Sequence, residues 1–261
     1  MSLFALVGPG NLGRTLALSL PAETWQLGPV LSRDKVSSRR AVREMRLGRP
    51  ASRWAELDAV PLILVATPAR ALAPTLAAAA DQLTALHQKR ILIAGVTLPD
   101  ARVQVERLES MGASVGGVLP VAAYRRPTIV APGATFAVWG AGPARTSARN
   151  LVKALRSKYV MIEPEDDVQI ALAVGAAGLL TVALELALRR LAAAGFRRQR
   201  AIEALAVLSD VSLQEHRKAR LTAPAPWLPA NCADLLRAAS HDAAELALYA
   251  QALELATEDL R

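Results

Sequence analysis

Leu3-Phe4-Ala5-Leu6-Val7-Gly8-Pro9-Gly10-Asn11-Leu12-Gly13-Arg14-Thr15-Leu16-Ala17-Leu18-Ser19-Leu20 decides how this chain is read. Five apolar residues suited to a buried strand run into G-x-G-x-x-G, and a helical pattern follows. That order is the one a dinucleotide-holding βα unit needs. Gly8 permits the tight turn, Gly10 keeps a side chain away from a diphosphate, and Gly13 lets helix and strand pack closely. Pro9, Asn11 and Leu12 complete the turn, so residues 8–13 are the expected cradle. The helix N-terminus adds free N–H groups and a partial positive charge for phosphate oxygens. The competing reading is an ordinary tight turn, since glycine turns are common.

Working outward, strands alternate with helices. Trp25–Leu31 reads as a second strand through Gly28-Pro29, and Lys35–Arg46 as a helix stopped by Gly48-Arg49-Pro50. Val60–Ala66 is a short apolar run of the kind buried in parallel sheets. Thr67-Pro68 breaks it, and an alanine-rich helix follows to about His87. Ile91–Ala94, Ser114–Val118, Thr135–Trp139 and Tyr159–Ile162 read as further strands, with helices over Pro99–Met111 and Ala144–Arg156. This predicts a mostly parallel, doubly wound sheet covered on both faces.

Near Glu163 the pattern changes. Asp166 to Ala194 carries neither strand signal nor proline and predicts one helix of roughly 43 Å. Helices over about Arg198–Lys218, Asn231–Ala239 and His241–Leu260 follow. The expectation is an α/β dinucleotide domain over residues 1–164 and an all-α domain for substrate and dimerisation over residues 165–261. A helix so long and apolar needs burial beyond what one small helical domain offers, so a homodimer through the helical half is expected.

The 261 residues can bury a sizeable core, and 52 % hydrophobic against 4 % aromatic makes that core aliphatic. The net charge of +8 raises a nucleic-acid partner, but so few aromatics leave no stacking platforms. No nucleic acid is expected, and the basic clusters suit small anions better. No uninterrupted apolar window is long enough to span a bilayer, and no signal peptide is read. The single cysteine, Cys232, forbids an internal disulfide and fits the cytoplasm. His87, His216 and His241 are scattered, and no metal site is expected.

Strand two ends at Ser32-Arg33, about 20 residues past the turn, where NAD sites usually place a carboxylate. A hydroxyl and a guanidinium suit a 2′-phosphate instead, and Arg39 and Arg40 add positive field. NADP is therefore expected over NAD. Asp34 keeps NAD as the alternative if the register slips, and Arg33 could simply be exposed. Ala66-Thr67-Pro68 ends the central strand across the switch point and should flank the nicotinamide-side ribose.

With these motifs the chain resembles the pyrroline-5-carboxylate reductase superfamily, within the wider 6-phosphogluconate-dehydrogenase-like group. Gly112-Ala113-Ser114-Val115-Gly116-Gly117-Val118-Leu119-Pro120 and Gly133-Ala134-Thr135-Phe136-Ala137-Val138-Trp139-Gly140 look closest to Rossmann-like proteins of the DUF2520 type. The resemblance covers nearly the whole chain, with specific motifs in the Rossmann half and weak ones in the helical half. It implies an NAD(P)-dependent oxidoreductase with the reaction in the cleft between the domains. The departures matter. Relatives of this kind place Ser, His, Asn or Lys at the start of the long helix, or a His-Pro pair after the preceding strand. Here the pair is Leu119-Pro120, and Gln169 to Gly178 contains none of those types.

Without a proton donor on that helix, alcohol oxidation is disfavoured. An iminium already carries its charge and asks less of the protein. The expected reaction is hydride transfer to a small C=N substrate. Tyr124, in the loop after Leu119-Pro120, is a candidate to overhang the site. Gln169 and Thr181 on the long helix are weaker candidates, because packing or capping explains them as well. Asp167 lies at the mouth of that helix, although Glu163 to Asp167 as a whole reads as a solvated turn and helix start. Arg125-Arg126 suits a substrate carboxylate or an exposed loop. Gly175 and Gly178 suit either a close approach of ligand or tight helix packing. The alternative function is a non-catalytic NAD(P)-binding sensor or partner subunit.

Overall fold

The computed structural model describes residues 1–207, apart from the side chains at 172, 173, 175–183, 185 and 186. Eight strands form one sheet: β1 (Ser2–Val7), β2 (Trp25–Leu31), β3 (Arg49–Ala51), β4 (Leu62–Val65), β5 (Arg90–Ile93), β6 (Ser114–Pro120), β7 (Thr135–Gly140) and β8 (Lys158–Met161). Their order is β3-β2-β1-β4-β5-β6-β7-β8. Every pairing is parallel except β6 with β7, where Val118 faces Val138. The helices are α1 (Asn11–Ser19), α2 (Lys35–Met45), α3 (Ala69–Gln82), α4 (Pro99–Ser110), α5 (Gly142–Ala154) and α6 (Asp167–Ala193). Residues 198–207 are also helical.

Strand alternation divides the core into two layers. Phe4 and Leu6 of β1, Leu62 and Leu64 of β4, and Phe136 and Val138 of β7 face α1, α2 and α5. Ala5, Val7, Ile63, Val65, Ile91 and Ile93 face the opposite way, onto α3 and α4. This is the doubly wound Rossmann arrangement that the alternating pattern predicts. The order in which strands are added reverses between β1 and β4, which run parallel, so the C-terminal ends of β1, β2, β4 and β5 gather at one edge, where such sheets hold ligands.

Several local expectations are corrected. Gly48-Arg49-Pro50 does not merely stop α2: Arg49–Ala51 is the edge strand β3, paired with Pro29–Leu31. Proline is tolerated there because an edge strand leaves one side of its ladder open. Helix α3 ends at Gln82, and a separate 3-10 turn covers Leu86–Gln88. Asp167 is not part of a solvated turn, being fully buried.

The chain divides after Thr181, inside α6. The expected helices beyond residue 207, together with His216, Cys232 and His241, lie outside the described residues, as do the surroundings of Gly175, Gly178 and Thr181. No helix among the described residues is long and apolar enough to cross a membrane.

Candidate cofactor site

Each glycine of the turn has its own physical reason. Gly8 sits at φ +83°, and a Cβ there would lie 2.9 Å from the Ala66 carbonyl carbon. Only glycine takes that conformation against so close a neighbour. Gly13 lies in the first turn of α1, where a Cβ would meet the Gly8 carbonyl oxygen at 2.6 Å and the Ala66 Cβ at 3.1 Å. Gly10 differs from both: a Cβ built on it has nothing within 4 Å. Its missing side chain serves the open space beyond the turn and not the packing beneath it.

Gly10 is the N-cap of α1, and no side chain accepts from the first-turn amides. Gly10 N donates to Gly8 O, and Arg14 N donates to Gly10 O, closing the first helical turn. The amides of Asn11, Leu12 and Gly13 therefore precede the intrahelical ladder, and they add to the helix dipole. Beside them, the Thr67 hydroxyl is buried without a hydrogen-bond partner. Ala66 is buried, and its N–H donates to Val7 O, which locks the β4 turn against β1. An open glycine, three free amides and an orphan hydroxyl fit a bound diphosphate and ribose.

At the end of β2, Ser32 and Arg33 differ in availability. The Ser32 hydroxyl donates to Asp34 O at 2.7 Å and lies 3.1 Å from the Ser38 hydroxyl. Arg33 is exposed, and its guanidinium makes no hydrogen bond or ion pair among the described residues. Arg40 is ion-paired with Glu44, whereas Arg39 is exposed without such a partner among the described residues. Asp34 is committed elsewhere. Its carboxylate accepts from Ser37 N at 2.7 Å and from the Ser37 hydroxyl at 2.8 Å, capping α2. Those bonds, the backbone one first, hold its carboxyl below the usual carboxylate range.

A depressed carboxyl stabilises the fold above its unfolded value of about 4. That contribution is lost as pH falls through the lower folded value. We expect Asp34→Ala to lower the melting temperature at pH 7 by roughly a few degrees and to leave dinucleotide preference unchanged. The melting difference from wild type should shrink on acidification. A swing of preference away from NAD in this variant would return Asp34 to the ribose.

The catalytic candidates are placed unevenly. Tyr124 is half-buried and packs against the core layer that faces α1, α2 and α5. Burial pushes its hydroxyl above the usual tyrosine range. Gln169 is exposed on α6. At the start of α6, Asp167 Oδ2 accepts from Thr97 N at 2.6 Å, and Asp167 Oδ1 lies 3.6 Å from Arg102 Nη2. Arg102 also donates to Thr97 O and Pro164 O. This buried junction, which sequence reasoning missed, ties the turn after β5 to the mouth of α6.

On the α4 side, a groove of about 780 Å³ is lined by Arg102, Glu106, Glu109, Trp139 and Arg145 among others. Burial, and then the charge of Glu106, raises the Glu109 carboxyl above its ordinary value. None of the glycine-turn residues lines this groove. No cluster of His, Cys, Asp and Glu suited to a metal occurs among the described residues.

No family model and no curated protein matches the chain. Solved structures do. An imine reductase from Pseudomonas sp. superposes with TM-score 0.76 at 15 % identity, over 99 % of this chain and 94 % of that one. A reductive aminase from Aspergillus terreus, in complex with NADPH and ethyl-5-oxohexanoate, gives 0.75 at 17 % identity, with 99 % and 94 % covered. The 1-pyrroline-5-carboxylate reductase of Streptococcus pyogenes gives 0.61 at 14 % identity, with 97 % and 90 % covered. At such identities the likeness shows the fold alone.

Proposed function

We propose that this chain is an NADP-dependent oxidoreductase that reduces a small C=N substrate. The observation that carries the cofactor half is the contrast at the turn. Gly8 and Gly13 are demanded by packing, Gly10 faces open space, and the amides it leads into are uncapped. Ser32-Arg33 supports NADP, because Arg33 is an exposed guanidinium with no hydrogen bond or ion pair among the described residues, while the neighbouring carboxylate is committed to a helix cap. The fold shared with an imine reductase and an NADPH-bound reductive aminase supports the C=N half. Within the pyrroline-5-carboxylate reductase-like group we place the chain nearest the DUF2520 type. Its first domain covers residues 1–164, and its helical half, residues 165–261, pairs two copies in the cytoplasm.

In this reading the amides of Asn11 and Leu12 bind the diphosphate and Arg33 grips the 2′-phosphate. Ala66, Thr67 and Pro68 flank the second ribose, with the Thr67 hydroxyl supplying a hydrogen bond. A bound nicotinamide supplies the hydride. The apolar run that follows Gln169 on α6 suits a substrate held by positioning and by exclusion of water, with no acid needed to protonate a developing alkoxide.

Steady-state NADPH oxidation against cyclic imines, ketoacids and amine-plus-carbonyl pairs tests the reaction. Turnover with imines and none with ketones alone is expected. Arg33→Ala should raise the NADPH Kd about tenfold and leave that of NADH unchanged. The second reading is a non-catalytic NAD(P)-binding sensor or partner subunit. One observation favours it: the stretch from Gln169 to Gly178 at the start of α6 contains no Ser, His, Lys or Asn. Tight NADPH binding with no turnover on any substrate class would select it.

A further inference from the structure

The connection between β6 and β7 lies back along α1 and is fastened to it at three successive turns. Asn11 Nδ2 donates to Arg125 O at 2.7 Å. Thr128 N donates to the Thr15 hydroxyl at 3.1 Å, and Val130 N donates to the Ser19 hydroxyl at 2.8 Å. Asn11, Thr15 and Ser19 stand four residues apart, on one stripe of the helix. Val130 is buried and Tyr124 packs on the same core, so the strap is pinned by apolar contacts as well.

This fastening fixes where Arg125 and Arg126 stand. The Arg125 backbone is hydrogen-bonded to the first residue of α1, beside the uncapped amides. Both arginines are exposed, and neither guanidinium has a hydrogen-bond or ion-pair partner among the described residues. The first turn of α1 carries no acid. The nearby carboxylate, Glu44, is already shared between Arg14 and Arg40. Two exposed arginines without an ion-pair partner among the described residues are therefore carried on backbone tied to the positive end of a helix, a setting that favours an anion.

We propose that Arg125 and Arg126 close over the diphosphate of the bound dinucleotide from the side opposite the backbone cradle, and that Asn11 is the positioning residue that holds the strap there. The inference rests on the glycine turn being a dinucleotide site. It assigns these arginines to the cofactor and not to a substrate carboxylate.

A double-mutant cycle read by NADPH fluorescence titration tests it. Arg125→Ala/Arg126→Ala is made in the wild-type background and in Arg33→Ala, which lacks the 2′-phosphate contact. The expected result is a rise in Kd of roughly ten- to a hundredfold in both backgrounds, with a flatter salt dependence. Arg125→Lys/Arg126→Lys should retain most of the affinity, and melting temperatures should stay at the wild-type value because both side chains are exposed. Asn11→Ala should weaken binding in wild type and have a smaller effect once both arginines are gone. An unchanged Kd, or a loss confined to the Arg33 background, overturns the proposal while leaving the cofactor reading intact. Failure of the wild-type protein to bind NADPH at micromolar concentration removes both.

Discussion

Gly10→Val should abolish tight dinucleotide binding while leaving the fold nearly as stable as wild type, and Gly13→Val should do the reverse damage first. At Gly10 the backbone lies at φ −73°, which any residue adopts, and a Cβ points into open space. The expected stability change is within about 1 kcal/mol, the scale of an N-cap substitution. The NADPH Kd should rise at least a hundredfold, since the new methyl groups occupy the volume that phosphate oxygens need. At Gly13 the added Cβ collides with the Gly8 carbonyl oxygen at 2.6 Å, a backbone atom that cannot swing aside. Overpacking of this kind costs about 3 kcal/mol, and the turn distorts with it. Urea melts alongside NADPH titrations separate the two effects. Retained affinity in Gly10→Val would sink the placement of the diphosphate.

Asp167→Ala should be the most destabilising single change among the polar residues. Its carboxylate is fully buried, accepts from the buried Thr97 amide and faces the Arg102 guanidinium. Removing it orphans one buried donor and strips a partner from a half-buried cation, at a cost of about 3 kcal/mol. Arg102 retains some solvent and its bonds to Thr97 O and Pro164 O, which limits the penalty. Asp167→Asn keeps an acceptor for Thr97 N and should lose roughly half as much. Both variants should act on the urea midpoint far more than on kcat, because this carboxylate accepts from Thr97 N and faces Arg102, holding α6 to the β5 turn. A large fall in kcat with an unchanged midpoint would instead make Asp167 part of the chemistry.

What could be read from sequence follows from range of interaction. The G-x-G-x-x-G turn, the apolar strands and the start of α6 near Asp166 are written in short windows, and the structure places them within a residue or two. Strand β3 was hidden because three residues including a proline carry no periodicity, and its strand character comes from pairing with β2. Asp167 was hidden because nothing local separates it from the exposed Asp166 beside it. The difference is an amide 70 residues away. The strap had a signal that went unused. Asn11, Thr15 and Ser19 repeat every fourth residue on a short helix whose other residues, Arg14 apart, are glycine or apolar, and such a stripe asks for something to hydrogen-bond. Which residues answer it is a tertiary matter.

The fastening of the strap also bears on how the protein is made. Its three hydrogen bonds join residues 111 to 114 positions apart. At about 5–20 residues per second on the ribosome, α1 is made roughly 6–20 s before its partners emerge. During that interval the Thr15 and Ser19 hydroxyl oxygens must accept from water or from a chaperone in place of the strap amides, although the Ser19 hydroxyl can already donate to Thr15 O within α1. The earliest segment of the chain to be translated is thus among the last to be finished.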